Sequence, residues 1–167
     1  DISSKFKGIV LGKVLSKVKH NNSDKLSICK VDIGTDQLQI VCGANNVSSD
    51  IYVYVATIGS YLDKVDLTIK ASEIRGVHSQ GMICSLQELG FEDESDGIAI
   101  VEKSFAQKFE LGTPIAELLE LNDFIYELAI TANRPDGMSM IGIAREVSAL
   151  LQTKLTDLEI SENLSIS

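Results

Sequence analysis

Five short runs in the first 75 residues carry strand-like patterning, and so many brief strands must close on one another or leave long edges bare. Residues 51–58 alternate Ile51, Val53 and Val55 against Tyr52 and Tyr54; residues 67–74 alternate Leu67, Ile69 and Ala71 against Thr68, Lys70 and Ser72. Residues 8–15 are apolar on both faces, with glycines at 8 and 12 that suit a tightly coiled strand approached by another backbone. In 26–33, Leu26 and Ile28 point one way and Cys29, Val31 and Ile33 the other, which predicts a bulge there. Residues 38–42 follow a Gly34-Thr35-Asp36 turn. Two bent strands among five favour a small closed barrel over a flat sheet.

The pattern then changes. Ser85-Leu86-Gln87-Glu88 is a capping-box sequence with Gly90 as its stop, predicting a brief helical turn. An acidic loop (Glu92, Asp93, Glu94, Asp96) precedes a brief strand at 98–101, and Thr113-Pro114 supplies an N-cap and first-turn proline for a short helix. Residues 125–131 alternate again, with Tyr126, Leu128 and Ile130 on one face. A loop at 133–137 breaks that run. Met140, Ile143, Ala144, Val147, Leu150 and Leu151 then recur at helical spacing, predicting a helix over 141–151 that packs on the preceding strand. The residues beyond read as the opening of a further element.

With 44% hydrophobic and 23% charged residues and 2 Pro, this is a folding composition, and no apolar run reaches the roughly 20 residues of a membrane span. Cys29, Cys42 and Cys84 form no CxxC pair, and His20 and His78 have no partners at ligand spacing, so neither a disulfide framework nor a metal site is predicted. That usage fits a reducing cytoplasm. A start on Asp1 without a signal-like segment reads as an excised fragment. No G-x-G-x-x-G, P-loop or H-E-x-x-H is present, and no catalytic group stands out.

The net charge of -9 is unevenly distributed: residues 1–86 carry 10 Lys+Arg against 8 Asp+Glu, and residues 87–167 carry 5 against 16. Lys13, Lys17, Lys19, Lys25 and Lys30 fall in the basic opening segment and read either as a solvated face or as phosphate contacts. Asp24 either accepts turn N–H bonds in a purely structural turn or sets Lys25 toward a phosphate. Gly43, Asn45 and Asn46 suit a tight connection or a nucleotide-edge contact; Ser79 and Gln80 return the chain to the barrel, and Met82 reads as core.

Three stretches, 20–26 (His20-Asn21-Asn22-Ser23-Asp24-Lys25-Leu26), 41–47 (Val41-Cys42-Gly43-Ala44-Asn45-Asn46-Val47) and 75–85 (Arg75-Gly76-Val77-His78-Ser79-Gln80-Gly81-Met82-Ile83-Cys84-Ser85), resemble the tRNA-binding OB-fold domain of synthetase-associated proteins. With 130–136 (Ile130-Thr131-Ala132-Asn133-Arg134-Pro135-Asp136) and the helix after it, the chain resembles the bacterial phenylalanine–tRNA ligase beta-subunit family just ahead of its editing domain. Asn21, Gln80 and Gly137 depart from the family pattern, which usually has Pro at the first position and often Glu and Cys at the others.

The resemblance implies a mainly β chain: a five-stranded OB-fold barrel over 6–90, an acidic connector over 91–121, and a small α+β extension over 122–167 leading toward an editing domain. It implies an accessory tRNA-binding or assembly role, catalytically silent and without a cofactor of its own. It further implies a parent enzyme that uses ATP and Mg, with ATP and phenylalanine handled by a catalytic alpha subunit in an α2β2 assembly, in the cytoplasm and away from membranes. The candidate nucleic-acid residues are Lys13, Lys17, Lys19, Lys25, Lys30, Asn45, Asn46, Ser79 and Gln80; Asn133, Arg134 and Asp136 form a loop lock in which Arg134 pairs with a carboxylate. With no Trp and 5% aromatics, weak tRNA affinity is expected. A free-standing tRNA-binding protein, expected to end after its barrel, and a purely structural assembly domain are the alternatives.

Overall fold

The computed structural model describes residues 3–156; the tail expected to open a further element, from residue 157 on, lies outside the described residues. The longest strand, β1 (Ile9–Lys19), organises the sheet. It pairs antiparallel with β2 (Ser27–Asp32) and with β4 (Tyr52–Thr57), and β2 carries the sheet on to β3 (Gln37–Cys42). Shorter strands follow: β5 (Tyr61–Leu62), β6 (Leu67–Thr68), β7 (Ser72–Ile74), β8 (Val77–Ser79), β9 (Gly81–Ile83) and β10 (Ile100–Val101). Both β9 and β10 pair with β4.

Three bonds draw β3 onto the β8–β9 junction. Gln80 N–H donates to Gln39 O (2.8 Å), Gln39 N–H to Gln80 Oε1 (3.0 Å), and Val41 N–H to Ser79 Oγ (3.1 Å). With them β1, β2, β3, β4 and β9 form the expected five-stranded, nearly closed OB-type barrel.

The bulge is not where the sequence placed it. Register slips in β1, where Val14 faces Val31 and Ser16 faces Lys30, so the extra residue is Leu15. β2 keeps plain period two: Cys29 and Val31 are buried, while Ile28 and Lys30 lie on its other face. An apolar residue on each face of β2 imitated a change of phase. The run 67–74 also departs from expectation, splitting into β6 and β7. Ile69 turns into the core, its N–H bonded to Ser60 O and its carbonyl to Gly59 N–H, each at 2.8 Å, and β7 then pairs with β8.

Two cores lie on opposite sides of β1 and β4. The barrel interior holds Val14, Cys29, Val31, Ile40, Val53 and Val55. The second layer packs Ile9, Leu11, Tyr54, Cys84, Ile115 and Leu118, with Met82 at its margin. That is why residues 8–15 read as apolar on both faces.

The segment 91–121 packs within the barrel's unit, its Val101, Ala106, Ile115 and Leu118 covering the outer side of β1 and β4. Its short helices are α1 (Lys103–Ala106) and α2 (Ile115–Leu118). Thr113 does not cap α2; its hydroxyl donates to Glu110 O at 2.8 Å, and Pro114 occupies the cap. The capping box does form as a single turn, with Glu88 N–H on Ser85 Oγ (3.1 Å) and Ser85 N–H on Glu88 Oε2 (2.7 Å).

The chain divides after Ile125. In the second unit, residues 125–131 form no strand, because among the described residues no neighbouring strand pairs with them. Helix α3 (Met140–Leu151) is capped by Ser139, whose Oγ accepts Gly142 N–H at 3.0 Å. Arg134 donates to both Asp136 oxygens (3.2 and 2.9 Å) and lies 2.6 Å from Glu146 of α3, holding Asp136 below the usual carboxylate range. Asn133 is exposed.

The expected packing of α3 on Tyr126, Leu128 and Ile130 is mostly absent. Ile143 and Ile130 share a small cavity beside Gly137, while Val147, Leu150 and Leu151 are exposed. So little apolar cover gives a low opening free energy. Hydrogen exchange in α3 is therefore expected to run well ahead of that in β1, β2 and β4; equal protection would show the unit to be self-sufficient.

Candidate nucleic-acid interface

Beyond Leu15 the phase of β1 reverses. Lys17 pairs with the core residue Cys29, which sends Ser16 and Val18 to the outside of the barrel. Two cross-strand rows result on the outer face, Ser16–Lys30–Gln39 and Val18–Ile28–Val41. Ser16, Val18, Ile28, Lys30 and Gln39 of these rows line a groove of about 300 Å³ bounded by Gln37 and Gln80.

The loop 20–26 and the separate β7–β8 hairpin are stitched together. Asn22 N–H donates to Nδ1 of the buried His20 (3.0 Å), which leaves His20 Nε2–H to donate to Ile74 O (3.1 Å). Asn22 Nδ2 donates to Arg75 O (3.2 Å), and Arg75 Nη1 to Asn22 O (3.3 Å). His20 is thus a fastener between loops, and a ligand role would break at least one of its two bonds.

The candidate lysines do not converge. Lys13 lies 2.6 Å from Asp50, which Lys103 approaches at 3.3 Å, and sits 5.5 Å from the Tyr52 ring centre. The hydrogen bond to Asp50 pushes the Lys13 ammonium up, and the Lys13 and Lys103 bonds hold Asp50 below its ordinary value. Lys17 Nζ donates to Val47 O at 2.8 Å. Lys19 pairs with Asp24 at 2.5 Å, so the Asp24 carboxylate is on a lysine; in the turn, Lys25 N–H donates to Ser23 Oγ (3.4 Å). Lys30 borders the groove and Lys25 is exposed in the adjoining loop; among the described residues neither forms an ion pair.

The polar candidates separate too. Asn46 clamps backbone, its Nδ2 donating to Ile98 O (2.9 Å) and its Oδ1 accepting Ile98 N–H (3.0 Å), whereas Asn45 is exposed. Ser79 is buried, closing the barrel through Val41 N–H and donating to Gly81 O at 3.1 Å. Of the nine candidates, Lys30 and Gln80 meet in the groove. Gln39, Val18 and Ile28 also belong there, with Asn22 and Arg75 in the stitch; sequence reading did not single them out. For Val18 and Ile28, strand alternation carries the signal, and it is readable only once the bulge is placed at Leu15.

A family model described as "Putative tRNA binding domain" matches residues 9–109. The chain belongs to the tRNA-binding-domain family. The match runs past residue 90 through β10 and α1, the same segment that the barrel's outer core absorbs. The chain is also homologous to phenylalanine–tRNA ligase beta subunits. It is 65% identical to that of Prochlorococcus marinus strain MIT 9312, over 99% of this chain and 20% of the relative. To that of Prochlorococcus marinus subsp. pastoris it is 70% identical, over 93% and 19%. To that of Trichormus variabilis the identity is 54%, over 89% and 18%. It therefore spans about a fifth of the length of the curated relatives it matches. Among solved structures, a MetRS-related protein from Pyrococcus horikoshii is similar at a TM-score of 0.46 and 20% identity, over 64% of this chain and 86% of that one.

Proposed function

We propose that the chain is an accessory tRNA-binding and assembly region of a phenylalanine–tRNA ligase beta subunit, acting in the cytoplasm to support attachment of phenylalanine to its tRNA. The observation that carries this reading is the match of the tRNA-binding family to 9–109, the stretch that builds the barrel and its outer core.

ATP and Mg belong, in this reading, to a catalytic alpha subunit in an α2β2 assembly. Among the described residues no three His, Cys, Asp or Glu side chains are grouped to hold a metal ion. No catalytic step is assigned to the barrel. The exposed apolar residues of α3 support an assembly role beside the tRNA role. No described helix is long and apolar enough to cross a membrane.

Lys25 and Lys30 supply the phosphate contacts, since Lys13, Lys17 and Lys19 are each engaged by an acceptor. Fluorescence anisotropy with tRNA is expected to show weak binding that falls with salt, with a log–log slope of about -0.7 to -0.9 per phosphate contact. Lys25→Ala and Lys30→Ala should each flatten that slope by about one contact, and Lys13→Ala should leave it unchanged. Absence of binding even at low salt would remove the tRNA role and leave assembly.

A further inference from the structure

The layer that covers the outer side of β1 and β4 is not packed shut. A cavity of about 370 Å³ lies between the 3-10 turn Ser3–Phe6, β5 with the turn Asp63–Val65 after it, and residues 88–90. Phe6, Ile9, Leu62 and Leu89 line it, all of them members of the outer core. They show so little surface, 9% of Phe6 and 6% of Leu89, that only something as narrow as an inserted side chain reaches them.

Apolar side chains continue outside the cavity. Phe91 stacks on Phe6 with ring centres 5.4 Å apart, and it is exposed, as are Val65 and Leu67 beside β5. An exposed apolar cluster of this kind marks a surface that meets another protein.

The charge around the mouth is negative. Lys5, Lys64, Asp63 and Glu88 line the cavity, and the loop that follows Gly90 adds Glu92, Asp93 and Glu94, so two cations face five carboxylates for a net -3. Lys64 is already on Asp93 at 3.0 Å. Among the described residues Lys5, Asp63, Glu92 and Glu94 form no ion pair.

From this juxtaposition we infer that the cavity is a docking site for a basic, apolar peptide segment of a partner protein. One apolar side chain of the segment enters among Phe6, Ile9, Leu62 and Leu89, and lysines or arginines beside it meet the unpaired carboxylates. A nucleic acid would bring its phosphates to those same carboxylates and be repelled. No residue lining the cavity lines the groove of β1, β2 and β3. The inference rests on the assembly reading and gives it a surface and a partner chemistry; α3 contributes no residue to the cavity.

The test titrates the isotope-labelled chain with the peptide Lys-Lys-Phe-Leu-Lys-Lys and follows it by NMR. Signals of Phe6, Leu62 and Leu89 are expected to shift and saturate, with half-saturation at about 1 mM or below. Lys-Lys-Ser-Ser-Lys-Lys keeps the charge without the anchor, and Glu-Glu-Phe-Leu-Glu-Glu keeps the anchor without the charge; each should bind at least about tenfold more weakly. Lys5→Ala, which removes the unpaired cation at the mouth, should tighten binding about two- to threefold at low salt and leave it unchanged at high salt. A damaged fold does not tighten binding.

Shifts confined to other parts of the barrel, equal binding of the three peptides, or no saturation by any of them would overturn the site. So would tRNA moving the same three signals, which would give this face to RNA. Gel filtration of the chain with the ligase alpha subunit reads the assembly role separately. Peptides that fail while the alpha subunit binds remove the docking site alone; peptides that bind the cavity while the alpha subunit does not support the site and remove that subunit as its partner.

Discussion

Replacing Gly34 or Gly112 by alanine is expected to lower the stability of the barrel unit by about 2–5 kcal/mol, combining a left-handed backbone with an overpacked contact. Gly34, in the turn between β2 and β3, has φ +85°, and a Cβ there would run into the Leu111 carbonyl. Gly112 has φ +87°, and its Cβ would run into the Ile33 carbonyl. Each obstacle is main chain, which cannot swing aside as a side-chain tip would. The two turns interlock there, and Gly112 N–H donating to Leu11 O (2.8 Å) with Leu11 N–H donating to Thr113 O (2.9 Å) ties the same segment to β1. Gly59 supplies the control: its φ is +94° and a methyl group there would meet nothing within 4 Å, so Gly59→Ala should cost only about 1–2 kcal/mol. Urea unfolding of the three variants separates the effects. Equal losses at all three sites would show that backbone conformation alone matters and that the interlock contributes nothing.

Local pattern revealed what local pattern sets. The run at 38–42 is β3, that at 51–58 is β4 within a residue at each end, and the helix expected at 141–151 is α3 with one more residue. Alternation and helical spacing are properties of single elements, readable without knowing the neighbours. The failures share the opposite cause. Residues 125–131 alternate as a strand would, but a strand exists only with a partner, and pairing is not written in the segment itself. The Leu15 bulge left no trace, because β1 is covered on both sides up to Val14 and shows no alternation for it to interrupt.

The site was read less well for the same reason. Lysines close in sequence read as one patch, yet neighbouring positions of a strand face opposite ways and the bulge reverses the phase between Lys13 and Lys17. Lys17 was thereby sent to the side of Cys29 and Lys30 to the outer groove. Gln39 carried no signal at all, since an amide in a strand reads as a solvated residue until its partner, 41 positions away at Gln80, is known.

Raising the pH above about 9 is expected to destabilise the barrel unit steeply, with Cys84 and Cys29 responsible for much of the slope. Both thiols are fully buried, Cys84 in the outer core and Cys29 in the barrel interior. Burial, reinforced by Glu88, pushes the Cys84 thiol up to about 12; burial, reinforced by Cys42, pushes Cys29 up to about 11. The folded state thus holds these protons more tightly than the unfolded chain, whose thiols titrate near 9.0. The stabilisation is complete below about pH 9 and drains away as pH climbs toward each raised value, at about 1.4 kcal/mol per pH unit per thiol. Lysines and tyrosines also titrate in this range, but they are common to parent and variants and cancel in the difference. Urea midpoints from about pH 8 to about pH 10.5 should therefore fall less steeply for Cys84→Ala and Cys29→Ala than for the parent, even though each variant starts lower for the volume it has lost. Parallel curves for parent and variants would mean that the thiols ionise without opening the fold, and the assignment of the alkaline transition to these two cysteines would be lost.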